Sequence, residues 1–199
     1  MTMTLEDLAD HEEIRQAIYR HFRAGDRLDT ALLATCWWED GVYEGGPIDG
    51  PVLEKLPAFF ADSFRDAFSV TNHYLMNMVI DLRGDDAIVE CYAITYHVIQ
   101  ANVETLKGVA GPAKFAELEG DLSRPHELVV GIRYSIRMAQ RHGVWKIAVM
   151  KLVVDWRNLA PYTGWSTGGM LDAVRGRGTR DRTDPSYAWL APADDRCLE

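Results

Sequence analysis

The feature that most constrains the fold is a series of four long strand-like segments that begins after residue 70. They cover residues 71–82, 87–99, 127–141 and 144–157. The sequence "RGDD" between the first two and "RHG" between the last two are typical of tight turns. We therefore predict two long antiparallel hairpins in the second half of the chain.

A helix is predicted near the start of the chain. Thr4 followed by Asp7 resembles a capping box. An apolar residue then recurs every four positions from Ile14 to Phe22, which is the spacing of one helix face. We expect this helix to end near Gly25.

Two further helices are predicted before the strands. Asp29 or Thr30 can cap a short helix over "ALLATCWW", after which "EDG" breaks the helix and "VYEG" forms a brief strand. The segment "DGPVLEKLPAFFADSF" starts a third helix, with Pro51 in its first turn. Helices followed by a sheet indicate an α+β fold. We expect the helices to pack on a curved antiparallel or mixed sheet as a cone-shaped α+β barrel with an apolar interior.

One domain is predicted over residues 1–160, with an insertion at 100–126 and a tail at 161–199. The insertion is long for a hairpin loop, which favours a lid or an oligomer contact. The tail is rich in glycine and proline but keeps three large aromatic residues. These are Trp165, Tyr187 and Trp189. Disordered tails are poor in aromatics, so we expect this tail to pack on its own domain or on a neighbouring subunit.

The charge of the chain argues against a nucleic-acid partner. The net charge is −9, which repels phosphate backbones. One basic cluster lies in the tail, and its members are Arg175, Arg177, Arg180 and Arg182. Because glycines and acidic residues separate these arginines, we interpret the cluster as a solvated or packed segment.

The sequence shows no signal for a metal, another cofactor or a membrane. Cys36, Cys91 and Cys197 fit neither a disulfide framework nor a zinc-site spacing. No stretch approaches the roughly 18 apolar residues of a membrane helix, and "MTMTLEDLAD" lacks the features of a signal peptide. We expect a cytoplasmic protein that needs no cofactor.

Asp26 and His73 are candidates for a catalytic pair. Asp26 extends the apolar stripe of the first helix by four positions, and His73 begins a core strand. A purely structural interpretation is that Asp26 ends a helix and that His73 is a hydrogen-bonded core histidine. If the two side chains meet, the carboxylate orients the imidazole and stabilises its protonated form, which gives a general base for chemistry near neutral pH.

Strand parity predicts which residues accompany His73. A regular strand places every second residue on the same face. The face of His73 then carries Leu75, Asn77 and Val79. The opposite face carries Tyr74, Met76, Met78 and Ile80.

Three stretches of the chain resemble a known superfamily. They are "IRQAIYRHFRAGDRLDTALLATCWWEDGVYEGGPIDGP" at 14–51, "NHYLMN" at 72–77 and "RHGVWKIAVMKLVVDW" at 141–156. Together they look like the SnoaL-like branch of the nuclear transport factor 2-like superfamily, over residues 5–160. This superfamily includes scytalone dehydratase and hexachlorocyclohexane dehydrochlorinase, both cofactor-independent lyases with an Asp–His dyad in a cone-shaped pocket.

The resemblance implies roles for four polar residues. The aspartate and histidine of the dyad fall on Asp26 and His73. The similarity to scytalone dehydratase also places a second pocket histidine on His97 and a water-holding tyrosine on Tyr43.

Some positions depart from these relatives. Gly25 stands where scytalone dehydratase has a tyrosine, so a second water-binding tyrosine would come from elsewhere, and Tyr19 is our candidate. A lysine of the dehydrochlorinase falls on His21. A basic residue in its last strand falls on Met150, and the loss of that basic residue disfavours dehydrochlorination.

Six residues are predicted to bind the substrate. They are Tyr19, His21, Trp37, Tyr92, Arg133 and Met150. Arg133 can point into the cone, where it would anchor a phenolate or carboxylate, or out to solvent. The aromatic and methionine side chains suit a flat hydrophobic ligand.

These residues together predict a dehydratase-like lyase that acts on a hydrophobic, aromatic small molecule. The same site can shift a double bond or expel formaldehyde from a diaryl compound, so an isomerase or a carbon–carbon lyase is the alternative. A non-catalytic binding module or small subunit is a third interpretation, and such a module has no need of the dyad. Members of the superfamily commonly form oligomers, and we expect a homodimer or homotrimer.

Overall fold

The computed structural model describes most of the chain, namely residues 3–46, 48–164, 169–173 and 176–190. Three residues named above, Trp165, Arg175 and Cys197, lie outside the described residues. The described part combines N-terminal helices with one sheet, so the predicted α+β class is confirmed.

The first part of the chain is helical. Its helices are α1 (Leu5–Arg27), α2 (Thr30–Cys36), α3 (Val52–Phe59) and α4 (Arg65–Ala67), and a π-helical turn over Phe60–Phe64 joins the last two. The predicted capping box begins α1: the Thr4 hydroxyl accepts the N–H of Asp7 at 3.1 Å, and the Asp7 carboxylate accepts the N–H of Thr4 at 2.7 Å. These bonds satisfy donors that a helix start leaves unpaired.

Six strands form a single mixed sheet. They are β1 (Trp37–Glu44), β2 (Gly50–Pro51), β3 (Phe68–Arg83), β4 (Asp86–Ile99), β5 (His126–Arg141) and β6 (Val144–Pro161). The spatial order is β2-β1-β6-β5-β4-β3, and β1 and β6 form the one parallel pair among the described strands. The helices pack on one face of this sheet, which we call the inner face, and the main hydrophobic core lies between them.

A bulge in β3 corrects the predicted strand parity. Leu75 and Met78 pair with successive inner positions of β4, so two residues between them oppose one. The insertion of one residue reverses the alternation of every later side chain. Asn77 and Val79 are therefore exposed, whereas Met78 and Ile80 pack against the core. The predicted faces of these four residues were wrong.

The segment "WWEDGVYE" is one strand, which corrects a second prediction. We expected Trp37 and Trp38 to end a helix and "EDG" to interrupt the chain, but α2 ends at Cys36 and β1 runs through all eight residues. Parallel pairing with β6 holds both ends of this segment, with Trp37 opposite Ile147 and Val42 opposite Val149. Four residues of β1 between these pairs face one residue of β6, so "EDG" lies in a bulge.

The insertion between β4 and β5 folds against the sheet of its own chain. It forms α5 (Val103–Ala110) and α6 (Pro112–Ala116). Leu106 is buried in a small apolar cluster with Phe68 and Ile99. Packing of this kind favours a cover over one end of the inner face rather than an oligomer contact.

The described part of the tail contacts the end of α1. The Tyr187 hydroxyl donates to Asp29 Oδ2 at 2.7 Å, and Asp184 Oδ2 lies 3.2 Å from Nε of Arg27. Trp189 is 87% exposed, so Tyr187 is the aromatic residue of the tail that packs here.

Arg180 fixes the tail to the end of α4. Its guanidinium lies over the Phe64 ring at 5.2 Å and donates to backbone carbonyls, including that of Phe68. Burial lowers the pKa of Arg180 to about 10, which leaves the side chain charged at neutral pH. Arg182, by contrast, has a side chain that is 71% exposed.

The outer face of the sheet carries exposed apolar side chains. Tyr74, Met76, Val79 and Trp156 are each at least half exposed there. Within the described ranges, no helix has both the length and the apolar character needed to cross a membrane.

Candidate active site

Asp26 and His73 lie in direct contact. Asp26 Oδ1 lies 2.6 Å from Nδ1 of His73, and Asp26 Oδ2 accepts the backbone N–H of His73 at 3.0 Å. Both side chains are 13% exposed. Because a carboxylate can only accept hydrogen bonds, Nδ1 carries the hydrogen, and Nε2 keeps a free lone pair. The pair therefore presents an oriented base.

The position of Asp26 is unfavourable for helix stability. Asp26 occupies the last turn of α1, and Leu28 caps the helix in the left-handed region at φ 52°. A negative charge near a helix C-terminus costs about 0.3–1 kcal/mol. The two hydrogen bonds from His73 offset this cost, so α1 and β3 hold the dyad together.

A cavity of about 240 Å³ opens beside the dyad. Its walls come from α1, β1, the helical segment after β2, and β3 to β6. The lining residues are His21, Phe22, Gly25, Tyr43, Ile48, Leu56, Phe59, Phe60, Phe64, His73, Thr95, His97, Val130, Ile132, Tyr134, Leu152 and Val154. The walls are mainly apolar and aromatic, with a few polar groups, as is usual for small-molecule sites.

His97 lies next to the dyad in this cavity. Its ring centroid is 5.7 Å from that of His73. Burial lowers the pKa of His97 to about 3, with smaller electrostatic contributions from its neighbours His73 and Arg180. His97 is thus neutral at physiological pH, and its buried Nδ1 has no hydrogen-bond partner among the described residues.

His21 is held in one tautomer. The Trp37 indole N–H donates to Nδ1 of His21 at 3.0 Å. Burial, with a smaller contribution from His73, lowers the pKa of His21 to about 3. A neutral imidazole whose Nδ1 accepts must carry its hydrogen on Nε2. His21 therefore offers the cavity a neutral N–H donor.

Two tyrosines complete the polar lining. Tyr43 and Tyr134 are both buried, and burial raises the pKa of each phenol above its usual value. Gly46 allows the Tyr43 ring to take its position, because a Cβ at Gly46 would lie 1.9 Å from that ring. Both phenols stay protonated and can donate a hydrogen bond to a ligand oxygen.

Three predicted substrate-binding residues lie away from the cavity. Tyr19 and Tyr92 are 44% and 39% exposed. Arg133 forms a two-pronged ion pair with Asp155, with N–O distances of 2.9 Å. Arg133 and Tyr92 are cross-strand partners on the outer face. Arg133 thus takes the solvent-facing one of its two predicted orientations, and the predicted place of Tyr19 and Tyr92 in the substrate site was wrong.

Trp37 and Met150 lie behind the cavity wall. Both are almost fully buried, and neither contributes to the lining. Trp37 acts on the cavity through its hydrogen bond to His21. Met150 is the β6 partner of Tyr43. The prediction that Trp37 and Met150 contact a ligand directly was therefore wrong.

Sequence reasoning missed Tyr134 as a cavity residue. Tyr134 follows Arg133 on β5, and alternation places one of these two neighbours inward and the other outward. The parity of β5 is the signal in the sequence that could have found Tyr134. Tyr134 lines the cavity and Tyr19 does not.

Among the residues that the structure describes, no group of three His, Cys, Asp or Glu side chains is arranged to hold a metal ion. Cys36 and Cys91 are buried free thiols. The polar side chains that line the cavity are His73 of the dyad, two neutral histidines, two phenols and Thr95.

Comparisons with known proteins identify related sequences and folds. The SnoaL-like domain family matches residues 6–151. Terrestric acid biosynthesis cluster protein E of Penicillium crustosum is 26% identical over 153 residues, which cover 75% of this chain and 85% of that protein.

Solved structures share the fold at low sequence identity. A type 2 hexachlorocyclohexane dehydrochlorinase is 18% identical, with a TM-score of 0.62, and the match covers 83% of this chain and 99% of that one. A proposed scytalone dehydratase from Novosphingobium aromaticivorans is 15% identical, with a TM-score of 0.54, over 80% and 97% of the two chains.

Proposed function

The chain belongs to the SnoaL-like domain family, and from this premise we propose that it is a cofactor-independent, dehydratase-like lyase. Its substrate is a hydrophobic aromatic small molecule with a carbonyl group. The observation that carries the proposal is the 2.6 Å contact between Asp26 and His73 at the wall of an apolar cavity.

His73 is the general base in this proposal. Its Nε2 removes a proton from the carbon next to the carbonyl, and Asp26 holds the imidazole in the required orientation. The electron pair of the broken C–H bond forms a carbon–carbon double bond as a hydroxyl leaves the next carbon. The proton then passes from Nε2 to the departing hydroxyl, so that the products are an unsaturated ketone and water.

Neutral hydrogen-bond donors stabilise the charge on the departing group and the charge that develops during the reaction. Nε2 of His21 and the hydroxyls of Tyr43 and Tyr134 can each donate to an oxygen atom, and His97 lies beside the base. A positioned acid–base pair contributes about 10²–10⁴ in rate. The larger part of the rate enhancement must come from hydrogen-bond donors that are fixed in an apolar cavity, where no solvent needs to reorganise during the reaction.

The size of the cavity supports a compact ring system beside the dyad. Its volume of about 240 Å³ exceeds the roughly 150 Å³ of an engineered cavity that binds benzene. One or two fused rings with small substituents fit such a space. The fungal relative is named for a biosynthesis cluster, which supports a small-molecule substrate.

Product analysis tests the proposal. We would incubate the protein with a panel of aromatic β-hydroxy ketones that includes 3-hydroxy-1-tetralone, together with hydroxymethyl diaryl ethanes. Water loss, which converts the tetralone to 1-naphthol, is the expected result. Release of formaldehyde instead would identify a carbon–carbon lyase, and a product of unchanged mass an isomerase. No turnover of any panel member would favour a binding module.

Assembly through the outer face is a second part of the proposal. The exposed side chains of Tyr74, Met76, Val79 and Trp156 support a homodimer or homotrimer, because such a face buries apolar area by association. Sedimentation equilibrium would measure the stoichiometry, and a monomer at micromolar concentration would contradict this assignment.

A further inference from the structure

A second cavity adjoins the dyad cavity. Its volume is about 380 Å³, and it lies between the insertion and the ends of β5 and β6. Val130 and Val154 line both cavities. The two spaces are therefore neighbours along the inner face, separated by side chains that they share.

A row of cross-strand partners connects His73 to the second cavity. His73 pairs with Thr95, Thr95 pairs with Val130, and Val130 pairs with Arg157. Cross-strand partners place their side chains on the same face, so Arg157 belongs to the inner face. Three strand spacings separate the ends of the row, or about 14 Å between backbones.

A bulge turns Arg157 inward. Ile132 pairs with Val154, whereas Gly131 pairs with Trp156, so Asp155 is an extra residue in β6. Without this residue, regular alternation from Val154 would direct Arg157 to the outer face. Arg157 is exposed at this end of the inner face, so a ligand can reach its guanidinium.

The charges in the second cavity have one sign. Lys114 and Arg157 are the two charged residues of its lining, in a chain whose net charge is −9. Nζ of Lys114 lies 3.0 Å from Oε2 of Glu117. Arg157 has no ion-pair partner within the part of the chain that the structure describes. A free guanidinium matches the geometry of a carboxylate.

We propose that Arg157 binds a carboxylate at the far end of an elongated apolar substrate, whose reacting carbon lies at His73. Val130 and Val154 contact the apolar middle of the molecule, and Lys114 adds a second positive charge at the carboxylate end. This inference rests on the proposed function only where it places the reacting end of the substrate at His73. Arg157 takes the anchoring role that we had predicted for Arg133.

A matched pair of ligands tests the anchor without turnover. Biphenyl-4-acetate and biphenyl-4-acetamide are nearly equal in size and shape and differ in the terminal group, which is a carboxylate in one and a neutral amide in the other. Calorimetry gives a Kd for each. We expect the wild-type protein to prefer the carboxylate by about fivefold to tenfold, since a charged hydrogen bond at an exposed mouth is weaker than a buried one. Arg157→Gln should remove the preference and leave the Kd of the acetamide unchanged.

Control variants separate the anchor from general electrostatics. Arg157→Lys retains the charge and should keep part of the preference. Arg83→Gln removes an exposed arginine at the turn between β3 and β4 and should keep all of it. Equal affinity for the two ligands in the wild type, a preference that survives Arg157→Gln, or no binding of biphenyl-4-acetate at millimolar concentration would each overturn the proposal.

The anchor and the lyase activity can fail separately. In His73→Gln, the preference for the carboxylate should persist because Arg157 is untouched. A retained preference together with no turnover of any ketone would sustain the anchor and contradict the proposed chemistry. Turnover of a ketone, with no effect of Arg157→Gln on the preference for the carboxylate, would sustain the proposed chemistry and contradict the anchor.

Discussion

Acid should destabilise this protein through His21 and His97, two buried histidines that are neutral in the folded state. The pKa values of His21 and His97 are lowered to about 3 by burial, from an ordinary value of 6.5. Between these values the unfolded chain binds a proton at each site and the folded protein does not. The free energy of unfolding therefore falls as the pH is lowered through 6.5 and continues to fall towards 3.

The size of the effect follows from the two pKa values. At pH 5 an unfolded imidazole gains about 2 kcal/mol by protonation, whereas a folded imidazole with a pKa of about 3 gains almost nothing. The same calculation at pH 7.5 gives a negligible difference. Each histidine thus removes about 2 kcal/mol of stability between pH 7.5 and pH 5.

His97→Gln isolates one of these contributions. Urea unfolding of the wild type and the variant at pH 7.5 and pH 5 gives the loss of stability for each protein. We expect the variant to lose about 2 kcal/mol less than the wild type, because glutamine does not titrate. His142→Asn is the control, since His142 is exposed in the left-handed region at φ 55°, which asparagine tolerates. Equal losses in wild type and His97→Gln would refute the reasoning.

Two further substitutions test the packing around the site. Arg180→Ala removes a cation that donates to backbone carbonyls at the end of α4. It should lower the free energy of unfolding by about 2 kcal/mol, which corresponds to about 4–8 °C in Tm. Arg182→Ala, at an exposed position, should change Tm by less than half as much, and equal effects would contradict the docking of the tail. Gly41→Ala would place a Cβ 2.9 Å from a backbone oxygen and should cost about 1–3 kcal/mol in urea unfolding. Gly108→Ala lies in α5 with open space around it and should stabilise by about 0.5–1 kcal/mol, so a similar loss in both glycine variants would contradict this account.

The hairpins were predictable because local patterns carry them. Strand alternation and turn residues located β3 to β6, and the four-residue stripe of α1 pointed to Asp26. The contact between Asp26 and His73 joins two segments that lie 47 residues apart, so no local pattern carries it. The resemblance to a family supplied that pairing.

A bulge explains the wrong faces predicted along β3, because the extra residue before Met78 reversed the alternation. The bulge at Asp155, which directs Arg157 to the inner face, was likewise not predicted. A bulge depends on how a strand must bend to follow its neighbours, and that bend is absent from local periodicity. The bulge at "EDG" in β1 likewise depends on β6, which pairs with β1 on both sides of the bulge and follows about a hundred residues later.

The central claim is that His73, oriented by Asp26, removes a proton from carbon. The most direct test uses 1-tetralone, which has an acidic C–H next to its carbonyl but no group to expel. In D₂O, NMR would follow deuterium entering that position. We predict that the wild type catalyses the exchange and that His73→Gln, folded by circular dichroism, loses about 10²–10⁴ in rate. Exchange at the wild-type rate in His73→Gln, or no exchange above buffer in the wild type, would contradict the claim.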